Sequence, residues 1–130
     1  MSTINTPADL KYAKTDEWLR LEGDAATVGI SDFAQDQLND IVFVELPEVG
    51  KTFSKGEVFG VVESVKAAAD LNAPIAGTIT EVNTALEDSP ELINSDPFGK
   101  GWIIRLQVSD ASGADDLMDA DAYKAFCETR

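Results

Sequence analysis

The sequence predicts a mainly β fold, a barrel or sandwich of two similar halves with a short internal helix and a C-terminal helix. Three observations carry that prediction. Short β-branched and aromatic runs recur, bounded by Gly, Pro, Asn or Asp. Helical spacing of apolar residues is confined to SDFAQDQLND and to the acidic tail. An internal echo also runs through the middle: DIVFVELPEVG leads to Lys55-Gly56 and the strand EVFGVVE, and GTITEVN leads to Lys100-Gly101 and WIIRLQV.

Taken in order, EWLRLEG at 17–23 alternates Trp18, Leu19 and Leu21 with polar residues, and ATVGI at 26–30 follows a Gly23-Asp24 turn signal, which together read as a β-hairpin. Ser31 is an N-cap for a helix over about 32–39, with Phe33, Ala34, Gln37 and Leu38 at helical spacing. IVFVEL at 41–46 is a strand ended by Pro47. Further strands are expected at 57–63, 67–72, 76–83 and 102–108, separated by GKTFSKG, NAP and the loop DSPELINSDPFGKG. Leu117, Met118, Tyr123 and Phe126 mark an amphipathic helical extension over about 114–129 that packs back on the sheet. Gly29, Gly50, Gly56, Gly60 and Gly77 are assigned to turns and bulges, because none lies in a strand-to-helix phosphate motif.

Composition narrows the function. The 130 residues read as one domain, 1–130, and 44% hydrophobic with 26% charged residues describes a globular protein with no membrane span. Ten basic against 24 acidic residues give a net charge of −14, which repels phosphate backbones and anionic membranes, so nucleic-acid and membrane partners are not expected. Cys127 is the only cysteine and there is no histidine, which rules out an internal disulfide, Ser-His and Cys-His nucleophile pairs and the usual zinc sites. No catalytic and no metal-ligating residue is therefore predicted. The N-terminal MSTINTPADLKYAK has neither a signal-peptide nor a transit-peptide pattern, which points to a bacterial cytoplasm or, for a processed chain, a mitochondrial matrix.

The stretch ESVKAAAD sets local propensity against context. Its alanines favour a helix, while the preceding VFGVV favours a strand. If 57–63 and 67–72 are antiparallel neighbours, the chain reverses at Val65-Lys66 without a residue suited to positive φ, so a type I turn is expected with Lys66 at its tip. Flanked by the compact Val65, Ala67 and Ala68, the amine is open to another protein's active site. Two alternatives remain: a continuous helix over 57–70 with Glu63 and Lys66 as an i,i+3 pair, and a buried Schiff-base lysine.

At these residues the sequence resembles the H-protein family of the glycine cleavage system. The resemblance rests on LKYAKTDEW at 10–18, VGISDFAQDQLNDIVFVELPEVG at 28–50, GVVESVKAAADLNAPIAGTITEVN at 60–83 and LEDSPELINSDPFGKGWIIRL at 86–106. It implies a flattened β-barrel of the lipoyl-domain (barrel-sandwich hybrid) type, with lipoic acid in amide linkage on Lys66 and Glu63, Ser64, Val65 and Ala67 as the lipoylation motif. It also implies a non-catalytic, monomeric carrier that takes the aminomethyl group of glycine from a pyridoxal-phosphate-dependent glycine decarboxylase to a tetrahydrofolate-dependent aminomethyltransferase. An FAD-containing dihydrolipoamide dehydrogenase then reoxidises the carrier, and separate enzymes attach the lipoyl group. Family members fold the loaded arm into a cleft on their own surface, and the matching positions here are Thr15, Glu17 and Asp70. Two positions depart from the family pattern, Asp16 where histidine is usual and Ala69 where serine is frequent. The competing readings are a relay of lipoyl groups to other enzymes, a biotin carrier, and an unmodified acidic interaction domain. The biotin reading fits less well, because biotin carriers place methionines on both sides of their lysine.

Overall fold

The computed structural model describes residues 5–129. Nine strands run through these residues: β1 (Lys11–Tyr12), β2 (Glu17–Glu22), β3 (Ala25–Ile30), β4 (Ile41–Glu45), β5 (Thr52–Phe53), β6 (Val58–Ser64), β7 (Ala68–Asn72), β8 (Gly77–Val82) and β9 (Ile104–Val108). The helices among them are α1 (Asp32–Leu38), α2 (Ala85–Asp88), α3 (Leu92–Ser95) and α4 (Ala120–Glu128). The strands form a six-stranded antiparallel sheet in the order β1-β2-β3-β9-β8-β5 and a three-stranded sheet in the order β4-β6-β7. The two halves of the sequence echo divide between them: the first supplies the β4–β6 pair and the second the β8–β9 pair.

One apolar core lies between the sheets. Leu19, Val28, Ile79 and Leu106 of the larger sheet meet Val44, Phe59, Val62 and Leu71 of the smaller one, so the fold is the mainly β, flattened barrel-sandwich expected. A second cluster of Leu10, Tyr12, Trp18, Ala120 and Tyr123 packs α4 onto the other face of β1 and β2. Burial on both faces replaces the one-sided alternation predicted for EWLRLE: Glu17, Trp18 and Leu19 are all buried in succession. The Tyr12 and Tyr123 rings stack in parallel, 4.6 Å apart. Burying each large side chain of this cluster contributes about 1.5–3 kcal/mol, which fixes α4 on the sheet.

The β2–β3 hairpin turns at Gly23, whose φ of 65° is the left-handed value such a turn requires. Ser31 caps α1 as predicted, its hydroxyl accepting from the Ala34 N–H at 3.1 Å. The chain over 57–70 does not form the alternative helix. Instead β6 and β7 pair with Glu63 opposite Ala68, and the register slips by one residue between Val58 and Gly60. The bulge needs glycine because a Cβ on Gly60 would lie 2.4 Å from the Glu45 carbonyl oxygen. Gly50 and Gly56 occupy turns with positive φ, whereas Gly29 and Gly77 lie within strands, contrary to the turn-or-bulge assignment. Gly29 is there for packing, since a Cβ at that position would stand 2.7 Å from the Trp18 ring.

Other differences have local causes. The two-residue strands β1 and β5 carry no readable period, α2 is too short to show one, and α3 sits within DSPELINSDPFGKG, where Pro, Ser and Asn suggested only loop. The helix expected over about 114–129 begins only at Ala120. Met118 is held extended by backbone pairing with Tyr12, and Asp119 then caps α4 by accepting from the Ala122 N–H. No helix among the described residues is long and apolar enough to cross a membrane. Because the neighbour of Gly60 is backbone and cannot step aside, Gly60→Ala is expected to cost about 1–3 kcal/mol in urea unfolding, with a fall in midpoint at constant slope.

Candidate functional site

The β6–β7 hairpin places Lys66 at its tip. Ser64 and Ala67 close the turn through a Ser64 N–H bond to the Ala67 carbonyl at 2.8 Å. The return bond of an ordinary β-turn, from the Ala67 N–H to the Ser64 carbonyl, is replaced. Ser64 Oγ accepts from the Ala67 N–H at 3.0 Å and from the Lys66 N–H at 3.1 Å. A serine hydroxyl thus satisfies both inner donors of a turn that has no glycine, and no residue of it has positive φ. The reversal at Val65-Lys66 agrees with expectation, and the Ser64 hydroxyl closes it. The Val65 N–H is bound to the Asp40 carbonyl at 3.0 Å, which ties the tip to the start of β4.

Val65 is 68% exposed, and Lys66 and Ala67 are exposed beside it. The Lys66 ammonium donates to the Gln37 carbonyl at 3.2 Å, in the last turn of α1, where helix carbonyls lack intrahelical partners. An exposed amine at a hairpin tip has none of the desolvation that a Schiff-base lysine needs, so that alternative finds no support in the geometry. Other lysines are engaged differently. Lys55 pairs with Asp116 and donates to the Gly113 carbonyl, and Lys51 lies over the Phe53 ring at 5.5 Å.

Beside Lys66, a cleft of about 350 Å³ opens between α1, β7 and the turn leading into β2. Thr15, Asp16, Glu17 and Asp70 form its polar side, and Ile30, Phe33, Leu38 and Leu71 its apolar side. Gln37, whose carbonyl holds the Lys66 amine, also lines it. The structure therefore brings Thr15, Glu17 and Asp70 into one cleft next to Lys66. Thr15 and Asp70 are exposed, whereas Glu17 is only 1% exposed. Glu63, by contrast, points to solvent from β6 and does not line the cleft.

Glu17 is held from two directions. Its carboxylate accepts from the Thr15 hydroxyl and, through Oε2, from the Asn72 N–H at 3.0 Å. Burial pushes its pKa from the ordinary 4.5 up to about 7, against the opposing effect of the bonds from Asn72 and Thr15. A cleft with an apolar wall, three carboxyl groups and no basic lining residue suits a cationic group carried on a hydrocarbon arm. Sequence reasoning missed the parts of this site that lie in the backbone or on a helix edge: the Asn72 N–H, the Gln37 carbonyl, and Phe33 and Leu38, whose spacing read only as core. Asp16, at the position where histidine was expected, accepts from the Tyr123 hydroxyl at 2.8 Å.

Comparison with known proteins gives consistent relatives. The family model for the glycine cleavage H-protein matches residues 10–130. A glycine cleavage system H protein of Symbiobacterium thermophilum is 60% identical over 122 residues, 94% of this chain and 95% of that protein. A mitochondrial glycine cleavage system H protein of Arabidopsis thaliana is 54% identical over 120 residues, 92% of this chain and 77% of that one. The crystal structure of a glycine cleavage system H protein from Mycobacterium marinum superposes with a TM-score of 0.85 at 42% identity, covering 92% of this chain and 97% of the other.

The raised pKa of Glu17 has a thermodynamic consequence. A buried carboxyl that prefers its neutral form stabilises the fold fully below its unfolded value of 4.5, and that contribution is lost as the pH rises through about 7. A shift of this size is worth about 3 kcal/mol. Denaturant unfolding of the protein should therefore weaken across this window, and Glu17→Gln, which cannot titrate, should show that much less pH dependence.

Proposed function

This chain belongs to the glycine cleavage H-protein family, and from that premise we propose that it is a non-catalytic carrier whose lipoyl group is attached to Lys66. The observation that supports this most is the geometry of the amine, exposed at the tip of a rigid hairpin and adjacent to an amphipathic cleft. A lipoyl-attaching enzyme must reach the Nζ atom from outside, and the hydroxyl-closed turn at Ser64 offers it in a fixed direction. Acylation leaves an amide N–H on the same nitrogen, still able to donate to the Gln37 carbonyl. The dithiolane of a bound lipoyl group would supply the reactive sulfurs, consistent with a sequence that has no histidine and one cysteine.

The cargo in this reading is an aminomethyl group, a primary amine that is protonated at neutral pH. The carrier would receive it on a pyridoxal-phosphate-dependent glycine decarboxylase and deliver it to a tetrahydrofolate-dependent aminomethyltransferase. Dihydrolipoamide dehydrogenase would restore the disulfide. Phe33, Leu38 and Leu71 would supply apolar contact to a hydrocarbon arm, and Glu17 with Asp70 would accept from its ammonium, in a cleft that limits the access of water. Thr15 keeps Glu17 oriented, since its hydroxyl donates to that carboxylate.

Lys66→Arg retains the charge but offers no acylatable amine. It should fold normally, gain no lipoyl mass on intact-mass analysis after expression with lipoylating enzymes, and support no glycine-dependent exchange of carbon dioxide. A lipoyl adduct mapped to another lysine would refute the assignment.

A charge-assisted hydrogen bond in a site as dry as that of Glu17 is worth about 1.5–3 kcal/mol. Removing the charge should thus release the arm and speed spontaneous loss of ammonia and formaldehyde from the loaded carrier about tenfold or more. The measurement is the decay of the loaded form in the protein and in Glu17→Gln at low and moderate salt. Equal rates would sink the protective role of Glu17 while leaving the attachment at Lys66 intact.

A further inference from the structure

The turn that presents Thr15 and Glu17 is conformationally expensive. Asp16 has a φ of 80°, a left-handed value that a residue with a Cβ adopts at a cost. Backbone bonds frame this turn: Asp16 N–H to the Ala13 carbonyl at 3.0 Å, Ala13 N–H to the Glu17 carbonyl at 2.9 Å, and Ser31 N–H to the Asp16 carbonyl at 2.8 Å. Its side-chain anchor comes from the far end of the chain. Tyr123 of α4, fully buried, lies with its hydroxyl 2.8 Å from Asp16 Oδ1 and 2.5 Å from Ser31 Oγ.

The direction of this chain of bonds follows from its ends. Tyr123 donates its phenolic proton to Asp16 Oδ1. The Tyr123 oxygen is then left to accept from the Ser31 hydroxyl, whose oxygen in turn accepts from the Ala34 N–H. Cys127 of α4 also lies against this phenol. The chain joins the N-cap of α1, which carries one wall of the cleft, to the turn that carries another, and both are clamped by α4 from behind. Burial pushes the Tyr123 phenol far above its ordinary value, so it keeps the proton throughout the physiological range.

We propose that Tyr123 is a positioning residue for the cleft: its hydroxyl, through Asp16 and Ser31, holds the left-handed turn that sets Thr15 on Glu17 and Glu17 against Asn72. Tyr123 does not line the cleft itself. Its effect passes through Asp16, and C-terminal helix packing thereby becomes part of cargo holding. The consequence for cargo rests on the carrier function proposed above, but the positioning does not, and the two are separable by experiment.

Tyr123→Phe keeps the ring stack with Tyr12 and removes the hydroxyl. The readout is the titration of Glu17 in the full-length, unlipoylated protein, followed by carbon-13 NMR of its labelled carboxyl and assigned by its disappearance in Glu17→Gln. With the turn loosened, water reaches the carboxyl, and because burial is the largest cause of its raised pKa the midpoint should fall from about 7 towards 4.5. A drop of about one unit or more is expected. Asp16→Ala, which loses both the acceptor and the side chain's tolerance of positive φ, should reproduce the shift. Asp16→Asn, which keeps an acceptor oxygen and is at ease with positive φ, should retain the original midpoint. A merely stabilising tyrosine would lower the melting temperature and leave the midpoint alone. An unchanged midpoint in Tyr123→Phe and Asp16→Ala overturns the proposal, and if Tyr123→Phe does not fold, Asp16→Ala decides alone. A lowered midpoint with unaltered decay of the loaded carrier supports the positioning and counts against the protective cleft.

Discussion

The hydrogen bond from the Asn72 N–H to Glu17 joins the two sheets at the point where the cleft opens. Glu17 starts β2 in the six-stranded sheet, and Asn72 ends β7 in the three-stranded one. Without this bond, the strand-end donor would lie at the sheet junction lacking its partner, and the buried carboxyl would keep only the bond from the Thr15 hydroxyl. An unmet donor of that kind costs about 1–3 kcal/mol. The sandwich can therefore close here only with Glu17 turned inward. Once it is turned inward, Thr15, Asp70 and the Lys66 hairpin are brought around one space. Burying a carboxyl nevertheless works against folding as the pH rises. Under the carrier function proposed above, the carboxyl at this position serves a visiting cation at some expense of stability.

The hairpin illustrates a related constraint. Two strands reversing over Val65-Lys66 would ordinarily call on glycine or asparagine with positive φ, which permits mobility as well as tight turning. Here Ser64 supplies an acceptor for the donors at the tip, and Asp40 takes the Val65 N–H. The tip is thus held by three side-chain or cross-strand bonds rather than by a flexible residue. A lysine aimed by such a turn has its root fixed, and its freedom lies in the side chain and whatever is attached to it.

Much of this was legible in the sequence where turn chemistry and period agree. Gly23-Asp24, Ser31 and Pro47 announced the first hairpin, α1 and the end of β4, and the mismatch between VFGVV and KAAAD singled out Lys66. Elements too short to show a period, β1, β5, α2 and α3, were not legible. Nor was the tail, because Leu117 and Met118 have helical spacing yet Met118 is drawn into pairing with Tyr12, a contact that nothing local specifies. The cleft residues were reached through family resemblance and not through pattern. Glu17 reads as the polar first residue of a strand, and its burial depends on β7, 55 positions away. The Tyr123 to Asp16 link spans 107 positions and was equally invisible.

The chemistry proposed for the cleft follows from its electrostatics in one further step. With a pKa near 7, Glu17 is divided between acid and carboxylate at neutral pH when no cation is near. An ammonium entering the cleft favours the carboxylate, so its arrival displaces a proton from Glu17 instead of adding a charge to a neutral site. A neutral arm has nothing to offer in exchange and gains only the contact with Phe33, Leu38 and Leu71. Under the carrier function proposed above, the cleft favours a cationic over a neutral passenger on the same tether by the attraction between ammonium and carboxylate, less the cost of charging Glu17. The deep burial that makes the carboxyl a liability for folding strengthens that attraction by excluding water and also sets the cost that offsets it.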